Sequence, residues 1–246
     1  MKRRDLLFAV VTLLLLWQLA AWLVDRPILP APLAVGRVFL SELSQGLLDH
    51  FVVSLWRVLA STMLSIFIAA PLGLILGQSQ RLNKLISPLI YLVYPIPKVV
   101  FVPVVLLFLG LGDAPKIVII FLILFFQILV LVRDQAASLR PELLLSVRSL
   151  GAGRRALFRY VYLPASLPAI LTALRQSVGT AVAVLYIAEL FATQKGLGYY
   201  IYLNGSTLFN YQAMYAGIIA MSLLGLGLYF SVDWLEHRLC PWLYVR

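Results

Sequence analysis

Apolar residues come in long unbroken runs, separated by short polar, basic or proline-bearing intervals. Runs at about 6–24, 51–77, 85–110, 117–132, 163–191 and 213–232 approach or exceed the ~18 apolar residues of a membrane-spanning helix. They are continuous rather than alternating, which excludes a spanning β-barrel. The pattern predicts an all-α integral membrane protein with six transmembrane helices in a single domain over residues 1–246.

The intervals refine this picture. Lys2, Arg3 and Arg4 precede the first run, and Trp17 and Trp22 give it interfacial anchors, so it reads as a retained helix of about 28 Å rather than a cleaved signal. Pro27, Pro30 and Pro32 stop that helix. From 33 to 48, Val35, Val38, Phe39 and Leu43 share one face, predicting an amphipathic segment on the outer surface. Arg57 falls near the outer end of the second run, from where it is expected to snorkel to the headgroups. Gly73 and Gly77 form a small-xxx-small pair that permits close helix approach.

The third run is broken by Pro95, Pro97 and Lys98. Prolines inside a span free backbone carbonyls that protein or water must satisfy. The break predicts either a cavity-lining element or a structural kink whose lysine pairs with a neighbouring helix. The fifth run contains Arg175 and Glu189, the one acid expected to be buried. Four turns separate them, about 21 Å, so each is expected to pair with another helix.

The interval 140–164 is the longest polar-bearing stretch between two apolar runs. It carries Arg140, Arg148, Arg154, Arg155 and Arg159 against a single acid, Glu142. Pro141 and Glu142 suit a helix start, and Leu143, Val147 and Leu150 share its face. Gly151 can supply the positive φ that ends this helix. A second short helix follows, with Leu157, Phe158 and Val161 expected toward the bilayer, and Leu163-Pro164 is expected to stop it. Such a hairpin can fill a groove on a partner protein or lie against anionic lipid.

Composition supports the membrane reading. The chain is 62% hydrophobic and 12% charged, against about 45–50% and about 25% in soluble domains. The formal net charge of +10 would raise nucleic acid in a soluble protein. Here its distribution explains it. Only Arg26, Arg37, Lys116 and Lys195 fall outside on the six-span topology, and Arg57, Lys98 and Arg175 lie within spans; every other basic residue falls inside. This bias predicts both termini and the 140–164 segment in the cytoplasm. The single cysteine, Cys240, cannot form an intrachain disulfide, and two distant histidines give no zinc cluster. The dipeptide Gly-Lys never occurs, so the chain carries no P-loop of its own. No His, Ser or Asp constellation suggests an enzyme.

Leu145-Ser146-Val147-x-x-x-Gly151, nine residues, then Val161-Tyr162-Leu163-Pro164 resembles the EAA loop of importer-type ABC permeases, which reads Glu-Ala-Ala-x-x-x-Gly, nine residues, then Ile-x-Leu-Pro. Gly151, Leu163 and Pro164 match; the Glu-Ala-Ala letters are replaced. Leu29-Pro30-Ala31-Pro32, Pro95-Ile96-Pro97, Leu109-Gly110-Leu111-Gly112 with Lys116, Ala188-Glu189 and Gly196-Leu197-Gly198-Tyr199 are similar, in the same order, to the nitrate/sulfonate/taurine-type branch.

The resemblance implies a type I ABC importer permease fold with a cytoplasmic coupling-helix loop at 140–164. It implies a multi-pass protein of the bacterial inner membrane, paired as a homodimer. A separate ABC ATP-binding subunit would hold ATP, this chain would need no cofactor, and an extracytoplasmic solute-binding protein would deliver a small solute such as an organic anion. Leu145, Ser146, Val147, Arg148, Gly151, Arg154, Arg155, Leu163 and Pro164 would meet the ATPase. Pro95, Pro97, Lys98, Arg175 and Glu189 are the candidates for the translocation path. An ATP-independent channel or secondary carrier, a membrane-embedded enzyme and an assembly subunit are the alternatives.

Overall fold

The structure is a computed structural model that describes residues 3–191 and 193–244, without the side chains of Arg3, Leu6, Pro141 and Arg154. The predicted inside charges Lys2 and Arg246 lie outside the described residues, and of Arg3 only the backbone is described. Eleven α-helices follow one another in the described chain: α1 (Arg3–Val24), α2 (Pro32–Glu42), α3 (Leu48–Gln78), α4 (Gln80–Val93), α5 (Val102–Leu109), α6 (Asp113–Ala137), α7 (Pro141–Ser149), α8 (Arg154–Leu157), α9 (Leu163–Glu189), α10 (Leu197–Tyr202) and α11 (Tyr211–Leu239). Among the described residues five helical stretches are long and apolar enough to cross a membrane, and there are six if the pair α4 and α5, bent by 74° at the break, is counted as one span. The predicted third break is therefore real. Several helices run past their expected ends, α6 from 113 to 137 and α11 from 211 to 239, because the helical backbone ladder does not stop where the apolar run does.

The chain gathers into two compact units, Met1–Ser54 with Glu189–Leu224, and Leu55–Ala188 with Gly225–Arg246. In the first, α1 is almost wholly exposed apart from Ala21 and the ring contact of Trp17 with Tyr215 at 5.7 Å. Asp25 ends it in the left-handed region, where a short polar side chain is tolerated. Val35 on α2 and Leu47 in the π-helical turn Leu43–Leu47 are buried, as the amphipathic pattern predicts for Val35. The Tyr200 hydroxyl donates to Glu42 Oε2 at 2.9 Å. Burial, then this hydrogen bond and the negative charge of Glu42, push the Tyr200 pKa up, so it stays a donor.

In the second unit α3 and α6 touch backbone to backbone. A Cβ on Gly77 would lie 2.6 Å from both Ala136 Cβ and the Arg133 carbonyl oxygen, and one on Gly73 would lie 2.9 Å from the Leu129 carbonyl oxygen. The small pair thus permits the contact the sequence suggested. Ser65 Oγ donates across it to the Phe121 carbonyl at 3.3 Å. Leu174, Val178 and Val232 join α9 to α11, with Ile66 and Leu228 packed against them.

Two expectations are corrected, those for Arg57 and for Leu163-Pro164. Arg57 does not snorkel: it is 3% exposed and bonds Asp113 at the start of α6, because a carboxylate lies within reach before the headgroups do. Lys116 is 1% exposed, since α6 already starts at Asp113 and puts it one turn inside the helix. Arg133 is buried too, bonded to Asp134 and 5.6 Å from the Tyr91 ring. Leu163-Pro164 does not stop a helix. The π-helical turn Phe158–Tyr162 leads straight from α8 into α9, and its wider ladder accommodates the missing proline N–H.

Candidate coupling segment and translocation cleft

The 140–164 segment is two helical pieces held by one apolar cluster. Arg140, in extended conformation, precedes α7; Glu142 stands in its first turn and Arg148 in its last, the arrangement the helix dipole favours. Gly151 has φ +81° and its N–H donates to the Arg148 carbonyl at 2.9 Å, closing the end. A side chain there would be strained, so this position is a glycine for conformational reasons. Leu157, Val161 and Tyr162 are buried, with Leu139, Leu144 and Val147 packed against them. This corrects the expected orientation. Leu157 and Val161 turn toward α7 rather than the bilayer, and the α7 residues they meet are Leu144 and Val147, while Leu143 and Leu150 are exposed. The second short helix offers its apolar residues to the nearest apolar surface, which α7 provides.

What remains outward is a compact knob. Leu145, Ser146, Arg148, Gly151 and Arg155 are exposed, Leu163 is 40% exposed, Pro164 is half-buried in the helix, and Val147 faces the cluster. Arg154 starts α8, its side chain outside the described residues. Ser146 Oγ donates to the Glu142 carbonyl at 2.8 Å. Leu150, 85% exposed beside Gly151, belongs to the same surface, although periodicity groups it with Leu143 and Val147. The signal that separates it is its place one residue before the positive-φ glycine, where helical periodicity has already ended.

The broken third span encloses a cleft of about 370 Å³ lined by Tyr94, Pro97, Lys98, Phe126, Gln127 and Thr180 among others. Lys98 Nζ donates to the carbonyls of Val93 at 2.8 Å and Tyr94 at 2.5 Å, and stands 4.7 Å from the Phe126 ring centroid. The hydrogen bonds of Lys98 stay within its own broken span, and its contact with a neighbouring helix is the Phe126 ring. The ammonium caps carbonyls that the break frees and lies at the wall of the cleft. Phe126, Gln127 and Thr180 carried no sequence signal, since one aromatic or hydroxyl residue in an apolar run is indistinguishable from core.

The other path candidates are not among the residues that line this cleft. Pro95 is exposed and not among its walls. Arg175 Nη1 lies 3.0 Å from Asp233 Oδ1 and 2.9 Å from Glu236 Oε2 on α11; only the first contact has hydrogen-bond geometry. Glu236 is thus a second buried acid beside Glu189. Glu189, fully buried, accepts from Ser54 Oγ at 2.8 and 2.9 Å and from the Gly198 N–H at 2.8 Å, while Ser54 Oγ accepts from the Leu197 N–H at 2.7 Å. A carboxylate with donors at these distances orders the chain that follows α9. Among the described residues no three His, Cys, Asp or Glu side chains converge on a metal position.

The family profile described as "Binding-protein-dependent transport system inner membrane component" matches residues 69–240. The chain belongs to this family. The permease is 29% identical over 94% of its length to the taurine transport system permease protein of Escherichia coli, covering 86% of that protein. It is 28% identical over 94% of its length to the formylaminopyrimidine transport permease protein of Halalkalibacterium halodurans, covering 92% of it. Its fold matches the inward-facing MetNI methionine ABC transporter with a TM-score of 0.70 at 18% identity, over 80% of this chain and 98% of that one. The chain is the permease subunit of an ABC importer with a type I fold, a multi-span protein of the inner membrane and not an enzyme. The channel and secondary-carrier alternatives give way to an assembly in which a separate ATPase and a solute-binding protein take part.

Proposed function

We propose that this permease receives the ATPase subunit on the exposed knob around Gly151 and passes its solute through the cleft at Lys98. The observation that carries the first part is the cluster of Leu157, Val161 and Tyr162 against Leu144 and Val147. A knob fixed in this way transmits displacement to α9 as a rigid lever, since α8 continues into α9 without a break. The exposed arginines Arg148 and Arg155 suit an acidic groove. The 140–164 segment and both termini then lie in the cytoplasm, on the positive-inside distribution. Two copies of the chain pair around the path.

The solute is a small organic anion such as a sulfonate. Lys98 is the one cation among the described residues lining the cleft, beside the polar Tyr94, Gln127 and Thr180, and the taurine permease is among the relatives.

Gly151→Pro tests the coupling role. Proline fixes φ near −65°, which is incompatible with the +81° of Gly151. The variant inserts and the ATPase continues to turn over, but uptake is lost. Uptake at the parent rate overturns the assignment.

A further inference from the structure

Phe209 is the one described residue outside glycine and Asp25 with a positive φ, +54°. Asp25 tolerates this conformation; a bulky aromatic residue does not, and such strain persists only where the surroundings impose it. Here they do. The Leu208 N–H donates to the Leu203 carbonyl at 2.9 Å on one side, and on the other the Asn210 N–H donates to the Asn204 carbonyl at 2.8 Å. Asn210 Oδ1 in turn accepts from the Ala213 N–H at 3.2 Å at the start of α11. The Phe209 backbone is fixed from both sides, while its ring is 65% exposed and Leu208 beside it is 59% exposed. It borders a hollow of about 320 Å³ whose opposite wall is Pro27, Pro30 and Ala31. Both walls are backbone-restricted, one by its turn and one by proline.

An exposed aromatic side chain presented by a strained, over-determined turn contributes nothing to a core. It does match what a protein interface uses as an anchor, because the backbone part of its ordering cost is already met before the partner arrives. The side of the membrane selects the partner. Counting six spans, the α1–α2 and α10–α11 connections lie together on the face opposite 140–164. On the reading given above, that face is extracytoplasmic, and the family depends on a binding protein.

We propose that Phe209, with the hollow it forms against Pro27 and Pro30, is an anchor point at which the solute-binding protein docks. This inference rests on the proposed orientation of the permease.

The test uses the whole transporter in lipid nanodiscs with its own binding protein. Phe209→Gly removes the ring and relieves the strain; Phe209→Trp keeps a large aromatic. Phe209→Gly is expected to weaken binding-protein affinity at least about tenfold and to abolish its stimulation of ATP hydrolysis. Basal hydrolysis and thermal stability stay at or above the parent values, and Phe209→Trp retains most of the affinity. A photoreactive phenylalanine at 209 is expected to crosslink the binding protein. Unchanged affinity in Phe209→Gly, or crosslinks only to lipid or to a second copy of the permease, overturns the proposal. A permease that fails to copurify with its ATPase would instead overturn the coupling assignment, which this surface does not touch.

Discussion

Arg57 Nε and Nη2 both donate to one oxygen of Asp113, at 2.8 and 2.7 Å. The guanidinium is 3% exposed and the carboxylate 45% exposed, so the cation has left solvent while its partner keeps one edge in it. Removing the acid takes this carboxylate away from a buried charge. Asp113→Ala is expected to lower stability by about 1–3 kcal/mol, below the ~3–5 kcal/mol of a fully buried pair because Asp113 is half-solvated. Thermal unfolding in detergent reads this, and Arg57→Met with Asp113→Ala together should recover part of the loss. Equal stability of Asp113→Ala and parent contradicts the account.

Ser54 links Glu189 to the Leu197 N–H through one hydroxyl. Ser54→Ala leaves a buried carboxylate short of a donor and a buried amide without this acceptor. The expected cost is about 1–3 kcal/mol, together with faster amide exchange at Leu197 measured by hydrogen–deuterium exchange. Unaltered exchange there argues that Ser54 fills space only.

The α3–α6 contact gives a ranked set. Gly77→Ala places its Cβ at 2.6 Å from backbone and should destabilise by about 1–3 kcal/mol; Gly73→Ala, with 2.9–3.1 Å contacts, should cost less. Gly179→Ala, in the middle of α9 with nothing within 4 Å, should stabilise by roughly 0.5–1 kcal/mol. Midpoints of denaturation in a common detergent test the order Gly179→Ala, parent, Gly73→Ala, Gly77→Ala.

Lys98 is tied to the Val93 and Tyr94 carbonyls and to the Phe126 ring. Lys98→Met keeps the stem but removes the ammonium. Uptake by the reconstituted importer is expected to fall at least about tenfold, as for functional ionisable groups in spans, with insertion and ATPase pairing intact. Lys98→Arg, retaining the charge, should restore part of it. Full uptake by Lys98→Met would show the lysine to be a helix cap alone.

Hydropathy alone determined the architecture. Runs of apolar residues at spanning length, the Pro95–Lys98 break and the basic 140–164 interval were all readable, because a bilayer demands a local property, an apolar helix of fixed length, from each segment separately. Gly151 was readable for the same reason: a helix end needs a positive φ wherever the chain folds.

Tertiary structure alone decided which residues meet. Whether Arg57 reaches headgroups or Asp113, whether Leu157 faces lipid or Val147, and whether Arg175 joins Asp233 and Glu236 depend on neighbours distant in sequence. In a bilayer, lipid and a neighbouring helix look alike to an apolar side chain. Hydrophobic periodicity therefore marks a helix without saying what covers it. Charged groups are sorted by the nearest complementary partner, and only packing of the helices sets that distance.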